Sequence, residues 1–264
     1  MAKNTNTAET SSKYHVPNLE RALLIIELLA DHSEALSISQ ISEILTISRN
    51  SVYRITSTLL NNGYLSKSDT GNKYRLTRKL LAVGCSAVSD YSIVEHSLPA
   101  MRRLRDIVKE TVLIGTIACN EGVVLEQISG KHPFRFTADI GMKMPLHTAA
   151  PTKAIMAFMP KDERSEIISR IQFTKFNSRT ISSPKELCKS LEDVRKNGYA
   201  VDHSEELEGA NCVGSPVFNK NGYPVAAIWT TGPSDRLSDR MFEIVGQHVK
   251  EHAMEISRSI GFID

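Results

Sequence analysis

A dense group of cationic side chains lies in the first third of the chain. Between Thr46 and Leu80 there are seven basic residues and one acid, Asp69, giving a local charge of +6 in a chain of net charge +2. The rest of the chain therefore sums to −4 (+2 minus +6). Clustered cations attract phosphates, so the segment indicates nucleic-acid binding, with a solvated basic face as the alternative. The basic residues are Arg49, Arg54, Lys67, Lys73, Arg75, Arg78 and Lys79.

Three short helices are predicted to carry this segment. Apolar residues recur at helical spacing from Leu19 to Ala30, with Asn18 as the expected N-cap. Ser39 is expected to cap a second helix whose inward residues are Ile41, Ile44 and Leu45. Ser48 is expected to cap a third helix that ends at Asn62 before Gly63. A hairpin follows, with strands at 63–66 and 73–76 around the turn at 69–72. The pattern predicts a winged helix-turn-helix.

The third helix has two unlike faces. Val52, Ile55 and Leu59 form an inward stripe, and the opposite side is polar and basic, which suits a helix in the major groove of DNA. Arg49, Asn50 and Arg54 are expected to contact base edges. Lys67 and Lys73, with the backbone amides at the helix start, are expected to contact phosphates. The predicted DNA-binding residues are Ser48, Arg49, Asn50, Ser51, Tyr53, Arg54, Lys67 and Lys73.

The remainder predicts a separate α+β domain around an antiparallel sheet. Strands are expected at 112–118, 123–128, 134–138, 213–218 and 225–231. Helices are expected at 94–109, 152–159, 161–171, 183–197 and 238–260. With about 150 residues per domain, 264 residues suggest two domains. The expected borders are a disordered tail at 1–14, the DNA-binding domain at 15–80, a linker helix at 81–95 and an effector-binding domain at 96–264.

The sequence gives little support for an enzyme or for a membrane-spanning protein. His248, Glu251 and His252 match the zinc motif H-x-x-E-H, but only twelve residues remain after His252 to supply a third ligand. A Cys212–His147 nucleophilic pair is a second enzyme hypothesis, with no spacing that brings the two together. The four cysteines form no C-x-x-C pair, and no apolar run is long enough to cross a membrane. We predict no metal, no cofactor and a cytoplasmic location.

Three stretches resemble the IclR-type bacterial transcriptional regulators. The most specific is Gly198-Tyr-Ala-Val-Asp202-His-Ser-Glu205, followed after six residues by Cys212-Val213-Gly214-Ser-Pro-Val217-Phe218-Asn219. His147-Thr-Ala-Ala150-Pro-Thr-Lys153-Ala154 and Ser48-Arg-Asn-Ser51-Val52-Tyr53-Arg54 resemble two further family blocks. The resemblance implies a winged helix-turn-helix, a linker helix and a GAF-like effector domain. It also implies dimers, often paired into tetramers, that bind pseudo-palindromic operators.

The resemblance further implies a pocket for a small organic acid at the start of the helix after His147. Pro151 lacks the N–H that other members offer there, and Trp229 stands where a small hydroxyl residue is common. Trp229 could therefore stack on a sugar-like or aromatic ligand, or could be core packing; Asp202 and Cys212 have similar structural alternatives. The implied effector residues are Phe136, Met144, Ala150, Pro151, Thr152, Asp202, Cys212, Trp229 and Thr231.

Together these observations predict a DNA-binding transcriptional regulator, a repressor rather than an activator. A small organic or sugar acid is expected to modulate its binding to double-stranded operator DNA, as a homodimer or homotetramer with no membrane partner. The alternative is a Cys/His-dependent hydrolase or a ligand-binding protein with an accessory DNA-binding domain.

Overall fold

The computed structural model divides into two compact units, residues 1–90 and 91–264. It describes residues 15–32, 34–68, 72–80, 83 and 93–263. The predicted tail, the hairpin turn at 69–71 and most of the predicted linker helix lie outside the described residues, and the predicted borders stay predictions. Within the described ranges, no helix is both long and apolar enough to cross a bilayer.

The first unit is a small helical domain with a three-stranded sheet. Its helices are α1 (Pro17–Ala30), α2 (Ile38–Leu45) and α3 (Arg49–Asn61). Its strands are β1 (Leu36–Ser37), β2 (Leu65–Lys67) and β3 (Lys73–Leu76), and they pair antiparallel in the order β1-β3-β2. The helices and the sheet enclose one apolar core, centred on Ile25, Ile41, Val52 and Tyr74. This is the predicted winged helix-turn-helix.

The caps of the first two helices differ from the predictions. The N-cap of α1 is Val16, not Asn18, because Pro17 supplies a preset φ at the first helical position. The N-cap of α2 is Ser37, not Ser39: its hydroxyl accepts from the Gln40 amide at 3.3 Å. The Gln40 side chain accepts in return from the Ser37 amide at 2.9 Å, and this reciprocal pair outcompetes a cap two residues later. Ile44, predicted to face inward, is 51% exposed.

The second unit is built on a six-stranded antiparallel sheet of order β6-β5-β4-β9-β8-β7. Its strands are β4 (Thr111–Ala118), β5 (Glu121–Ile128), β6 (Lys143–Met144), β7 (Ala200–His203), β8 (Ala210–Phe218) and β9 (Pro224–Pro233). Its helices are α4 (Ile93–Val108), α5 (Ala150–Phe158), α6 (Lys161–Arg170), α7 (Pro184–Asn197) and α8 (Phe242–Ser259), the last preceded by a 3₁₀ turn at Asp239–Met241. The predicted α+β class is confirmed.

Side chains alternate between the two faces of this sheet. Val112 and Ile114 of β4 and Ile228 of β9 pack in one core with α4 and α8. On the opposite face, Ala227 packs with α5 and α7, and Trp229 packs with Leu113 and Val124. Helices therefore cover both faces, and each strand residue is assigned to a face by its place in the alternation.

The predicted strand at 134–138 is wrong. This stretch is irregular, and its polar backbone groups bond to side chains instead of a ladder: the Thr111 hydroxyl donates to the Phe136 carbonyl at 2.6 Å, and the Ala138 amide donates to Gln127 Oε1 at 3.1 Å. The edge position beside β5 is taken by β6, which pairs Met144 with Gly122. Strand β7, which the prediction lacked, forms the other edge.

Two isoleucines of α8 provide a matched test of the packing. Ile256 is 1% exposed in the core between α8 and the sheet, whereas Ile244 is 55% exposed. We expect Ile256→Ala to lower the free energy of unfolding by about 2–5 kcal/mol through lost burial and a residual cavity. Ile244→Ala should change it by less than about 0.5 kcal/mol. Urea unfolding of the two variants measures both values, and equal values would contradict this packing.

Candidate nucleic-acid interface and ligand cavity

The start of α3 presents a polar and basic surface. Val52 and Ile55 anchor the helix in the core, and Ser48 caps it by accepting from the Ser51 amide at 3.4 Å. This bond confirms the predicted cap. Among the residues predicted to contact DNA, those exposed on this helix and its cap are Ser48, Arg49, Asn50, Tyr53 and Arg54, while Ser51 is half-buried. Their exposure together leaves the surface available to a duplex.

The predicted phosphate contacts lie on the hairpin. Lys67 ends β2 and is exposed, and Lys73 begins β3 and is half-buried. A third cation, Lys79, is held against the fold: its ammonium donates to the Asn62 carbonyl at 2.7 Å and lies 4.7 Å from the Tyr64 ring centre. Lys79 is thus committed to the end of α3, whereas Lys67 extends into solvent.

The second unit contains a cavity of about 320 Å³. It lies between the sheet face of β4, β5, β8 and β9, the first turn of α5 and the loops beside β6 and β7. Eight of the nine predicted effector residues line it: Phe136, Met144, Ala150, Pro151, Asp202, Cys212, Trp229 and Thr231. The structure brings them together; their role in binding stays a prediction.

Thr152 is the predicted residue that does not line the cavity. Its side chain is buried beneath the first turn of α5, where the hydroxyl donates to the Ala149 carbonyl at 2.8 Å. A Cβ on Gly122 would stand 2.5 Å from the Thr152 methyl group, so α5 approaches β5 closely at this point. Thr152 therefore holds the first turn of α5 against β5, and its predicted part in effector binding stays a prediction.

Trp229 and Cys212 serve both the core and the cavity wall. Trp229 is 3% exposed and packs on Leu113 and Val124, so core packing is part of its role. The Cys212 thiol donates to the Thr231 hydroxyl at 3.4 Å. Burial raises the pKa of Cys212, which keeps it a thiol at neutral pH. The thiolate form that a nucleophile requires is disfavoured.

A buried ion pair lies next to the cavity wall, and sequence reasoning missed it. Lys153 of α5 is fully buried, and its ammonium lies 2.5 Å from Glu205 Oε1. The Glu205 amide donates to Asp202 Oδ1 at 2.8 Å, which ties the pair to the carboxylate that lines the cavity. Both residues stand in the family blocks quoted above, so their motif positions were the available signal. A lysine is otherwise expected to be exposed.

Burial shifts these carboxylates toward the protonated form. It raises the pKa of Glu205 to about 7, although the Lys153 charge opposes the shift. Burial likewise raises the pKa of Asp202, again against Lys153. Burial and the neighbouring Asp202 charge raise the pKa of Glu206, which also lines the cavity. The polar end of the cavity is therefore lined by acidic residues, and burial disfavours the state in which all of their carboxyls are ionised.

The residues of the two enzyme hypotheses are engaged elsewhere. His147 is absent from the cavity lining, and its Nε2 pairs with the Thr174 carbonyl at 3.0 Å; burial lowers its pKa. Nδ1 of His252 bonds to the His248 carbonyl at 2.7 Å within α8. In the part of the chain that the structure describes, no group of three or more His, Cys, Asp or Glu side chains could hold a metal ion.

The comparisons with known proteins agree with a DNA-binding domain joined to a ligand-binding domain. The IclR helix-turn-helix domain matches residues 18–69, and the bacterial transcriptional regulator IclR C-terminal domain matches residues 85–258. The regulator KdgR of Dickeya chrysanthemi is 30% identical over 241 residues, covering 91% of this chain and 78% of that protein. The repressor AllR of Escherichia coli K12 is 29% identical over 254 residues, covering 96% and 94%.

A solved structure shares the architecture. The Thermotoga maritima IclR structure superposes with a TM-score of 0.71 at 29% identity, covering 94% of this chain and all of that one. Fold and site define a transcriptional regulator with a DNA-binding and an effector domain. The chain belongs to the IclR family. These relatives are named as regulators, which sets the hydrolase alternative aside in favour of transcription regulation.

The different exposure of the cysteines allows the reactivity of the Cys212 thiol to be tested directly. Cys119 and Cys188 are exposed, whereas Cys212 is half-buried with a thiol that burial holds in its protonated form. We expect iodoacetamide at pH 8 to alkylate Cys119 and Cys188 in the native chain and to leave Cys212 unmodified. Peptide mass spectrometry locates the label. Alkylation of Cys212 at the rate of Cys119 would restore the nucleophile hypothesis.

Proposed function

We propose that the protein is a cytoplasmic repressor whose operator binding is modulated by a small carboxylate-bearing metabolite, an organic or sugar acid. The observation that carries this proposal is the convergence of eight predicted effector residues on one cavity in the unit that does not carry α3. The name of AllR as a repressor supports the direction of control. The protein acts as a homodimer that can pair into a tetramer, reading half-sites one duplex turn or a multiple of it apart.

The cavity has the size and chemistry of a site for a small ligand. A volume of about 320 Å³ is at the lower end for small-molecule pockets. Apolar side chains form most of its walls, and the Thr137 and Thr231 hydroxyls and the Asp202 carboxyl supply polar groups. The first turn of α5 brings a partial positive charge to one side, which favours an anionic group there. Pro151 has no N–H, so Ala150 supplies the first-turn amide on this wall.

The surface of α3 supplies the second half of the function. Arg49, Asn50 and Arg54 offer the side-chain types that pair with guanine and adenine edges. Lys67 offers a phosphate contact from the hairpin. Coupling between the two sites is typically worth about 1–3 kcal/mol, enough to change operator occupancy severalfold or more.

A screen that uses the single tryptophan tests effector binding. Trp229 is the only Trp in the chain and lines the cavity, so a bound ligand should change its fluorescence. Two- to six-carbon organic acids and sugar acids are titrated against the full chain, and binders are confirmed by a rise in melting temperature. The proposal expects at least one acid to do both and to alter retention of a genomic DNA fragment. Retention without any response to acids would contradict the effector assignment.

Two substitutions separate base contacts from phosphate contacts. We expect Arg54→Ala to weaken binding to the selected operator by about 10- to 100-fold, because a base-edge contact is worth about 1–3 kcal/mol. Lys67→Ala should weaken binding to all sequences alike and reduce the salt dependence by about one phosphate contact. Fluorescence anisotropy across a salt series measures both.

The matched control is Arg179→Ala, since Arg179 is an exposed arginine of the effector domain. Its affinity for DNA should equal that of the native chain. Unchanged affinity of Arg54→Ala would remove Arg54 from the contact surface.

Asp202→Ala tests the cavity itself. We expect normal operator affinity in the absence of effector, since Asp202 lies in the effector domain. The effector concentration that gives a half-maximal response should rise by about tenfold or more, because the cavity wall loses a carboxyl that lines it and that accepts from the Glu205 amide. DNA anisotropy against effector concentration measures the response. An unaltered response curve would reject the assignment of Asp202 to the site.

A further inference from the structure

The charge inside the cavity is of one sign. Its charged lining groups are the carboxyls of Asp202 and Glu206. Among the described residues that line it, none is Lys, Arg or His. An effector carboxylate would therefore enter a site that contains negative charge and lacks a cationic side chain on its walls.

The nearby cation, Lys153, is paired with a carboxylate outside the cavity lining. Lys153 is fully buried, and its ammonium faces Glu205 Oε1 at 2.5 Å instead of the cavity. Glu205 Oε2 is also buried, and it accepts no hydrogen bond from the described residues. One cation thus faces two buried carboxyls, Asp202 and Glu205, which the Glu205 amide links through its bond to Asp202 Oδ1.

The charges in this cluster do not balance when both carboxyls are ionised. Lys153, Asp202 and Glu205 then sum to −1 in a region largely removed from water, where an uncompensated charge is costly. An anionic ligand would add a second negative charge. One proton on the pair of carboxyls makes the Lys153–Asp202–Glu205 cluster neutral without moving Lys153, so the bound anion no longer faces a net negative cluster. The orphaned Glu205 Oε2 is a position that can hold this proton.

We propose that the cavity binds an effector carboxylate together with one proton from solvent, which the Asp202–Glu205 pair holds beside Lys153. The inference rests on the proposed function of the cavity as the effector site. In the net step the anion leaves solvent, the bond between a proton and the acid form of the buffer breaks, and an O–H bond forms on a carboxylate oxygen of the pair. Lys153 and Glu205 are positioning residues here, since the ligand contacts the wall that they support.

The surrounding titratable groups leave this pair as the site of the proton. Burial raises the pKa of both Asp202 and Glu205, the latter to about 7. His147, which faces Lys153 from the segment before α5, has a pKa lowered by burial and is neutral in the same range. Cys212 on β8 stays a thiol because burial raises its pKa. His203 on β7 lies 2.9 Å from Asp239. Burial also raises the pKa of Glu206, but its side chain is exposed whereas Asp202 and Glu205 are buried, so an uncompensated charge costs more on the pair than on Glu206.

The affinity of the cavity for an anion is expected to depend on pH. A bound anion stabilises the protonated pair, so it raises the pKa of the pair above its value in the free protein. Between these two pKa values binding takes up a proton, and the affinity for the anion falls as the pH rises. Above pH 7 the expected fall is about tenfold for each pH unit.

Isothermal titration calorimetry of the full chain tests this proton uptake. The probes are lactate, gluconate and benzoate, each paired with its neutral amide: lactamide, gluconamide and benzamide. Titrations at pH 8 in phosphate, HEPES and Tris give the number of protons taken up, from the dependence of the heat on the ionisation enthalpy of the buffer. We expect close to one proton for each acid that binds and none for its amide. A series from pH 6.5 to 8.5 should show about tenfold or greater weakening for the acid alone.

Two glutamates of the same loop provide the variant and its control. Glu205→Gln should abolish proton uptake and flatten the pH series, because it removes one carboxyl of the pair. Glu208→Gln removes an exposed carboxyl that does not line the cavity, and should behave as the native chain. Circular dichroism checks folding. If Glu205→Gln does not fold, the buffer series on the native chain decides by itself.

The outcomes separate this inference from the proposed function. Acid binding that takes up no proton and has the same affinity at pH 6.5 and 8.5 overturns the inference and leaves the effector site in place. Equal proton uptake by an acid and its amide also overturns it. If no acid binds between pH 6.5 and 8.5 and DNA binding ignores all of them, the effector assignment and this inference fail together.

Discussion

The effector domain depends on one buried ion pair. Lys153 projects from α5 and Glu205 from the loop after β7, so their contact joins two walls of the cavity that are 52 residues apart in the chain. Breaking such a pair by removing one partner typically costs about 3–5 kcal/mol, because the other charge remains buried. The same loop is fixed further by Thr180, whose hydroxyl donates to the Glu205 carbonyl, and by Asn177, which donates to the Ser204 carbonyl. Asp202 itself is held on the cavity wall by the pairing of β7 with β8, where it lies opposite Cys212.

Different residues of the cavity determine the shape and the charge of the ligand that can bind. Trp229, Leu113 and Val124 form a rigid apolar floor that belongs to the core, so a ligand has to fit the space they leave. The acidic end is adjustable, because a proton can enter or leave it without any movement of the backbone. In the DNA-binding unit, Val52 and Ile55 fix α3 in the core, and the cations on its surface, Arg49 and Arg54, are exposed to solvent.

The sequence predicted those features that local rules or motifs determine. The Ser48 cap and the Val52–Ile55 stripe specify α3. The family blocks contain Asp202 and Cys212, and the resemblance implied that these two residues share a pocket with Trp229 of the last strand. Features that depend on a choice between alternative hydrogen bonds were missed. Ser37 caps α2 instead of Ser39 because the Gln40 side chain accepts from the Ser37 amide in return. Residues 134–138 are irregular because the side chains of Thr111 and Gln127 hydrogen-bond to their backbone groups. Burial of Lys153 was missed although its motif position was a signal, since its partner is distant in the chain and lysine ordinarily favours the surface.

We infer that occupancy of the cavity controls the DNA-binding unit. The most direct measurement follows Trp229 fluorescence and the anisotropy of a labelled operator in the same cuvette while an acid is added. We expect both signals to change over one concentration range. The operator should weaken the affinity for the acid by the same factor as the acid weakens the affinity for the operator. Release of the operator with no change at Trp229, or saturation of Trp229 with the operator still fully bound, would contradict this inference.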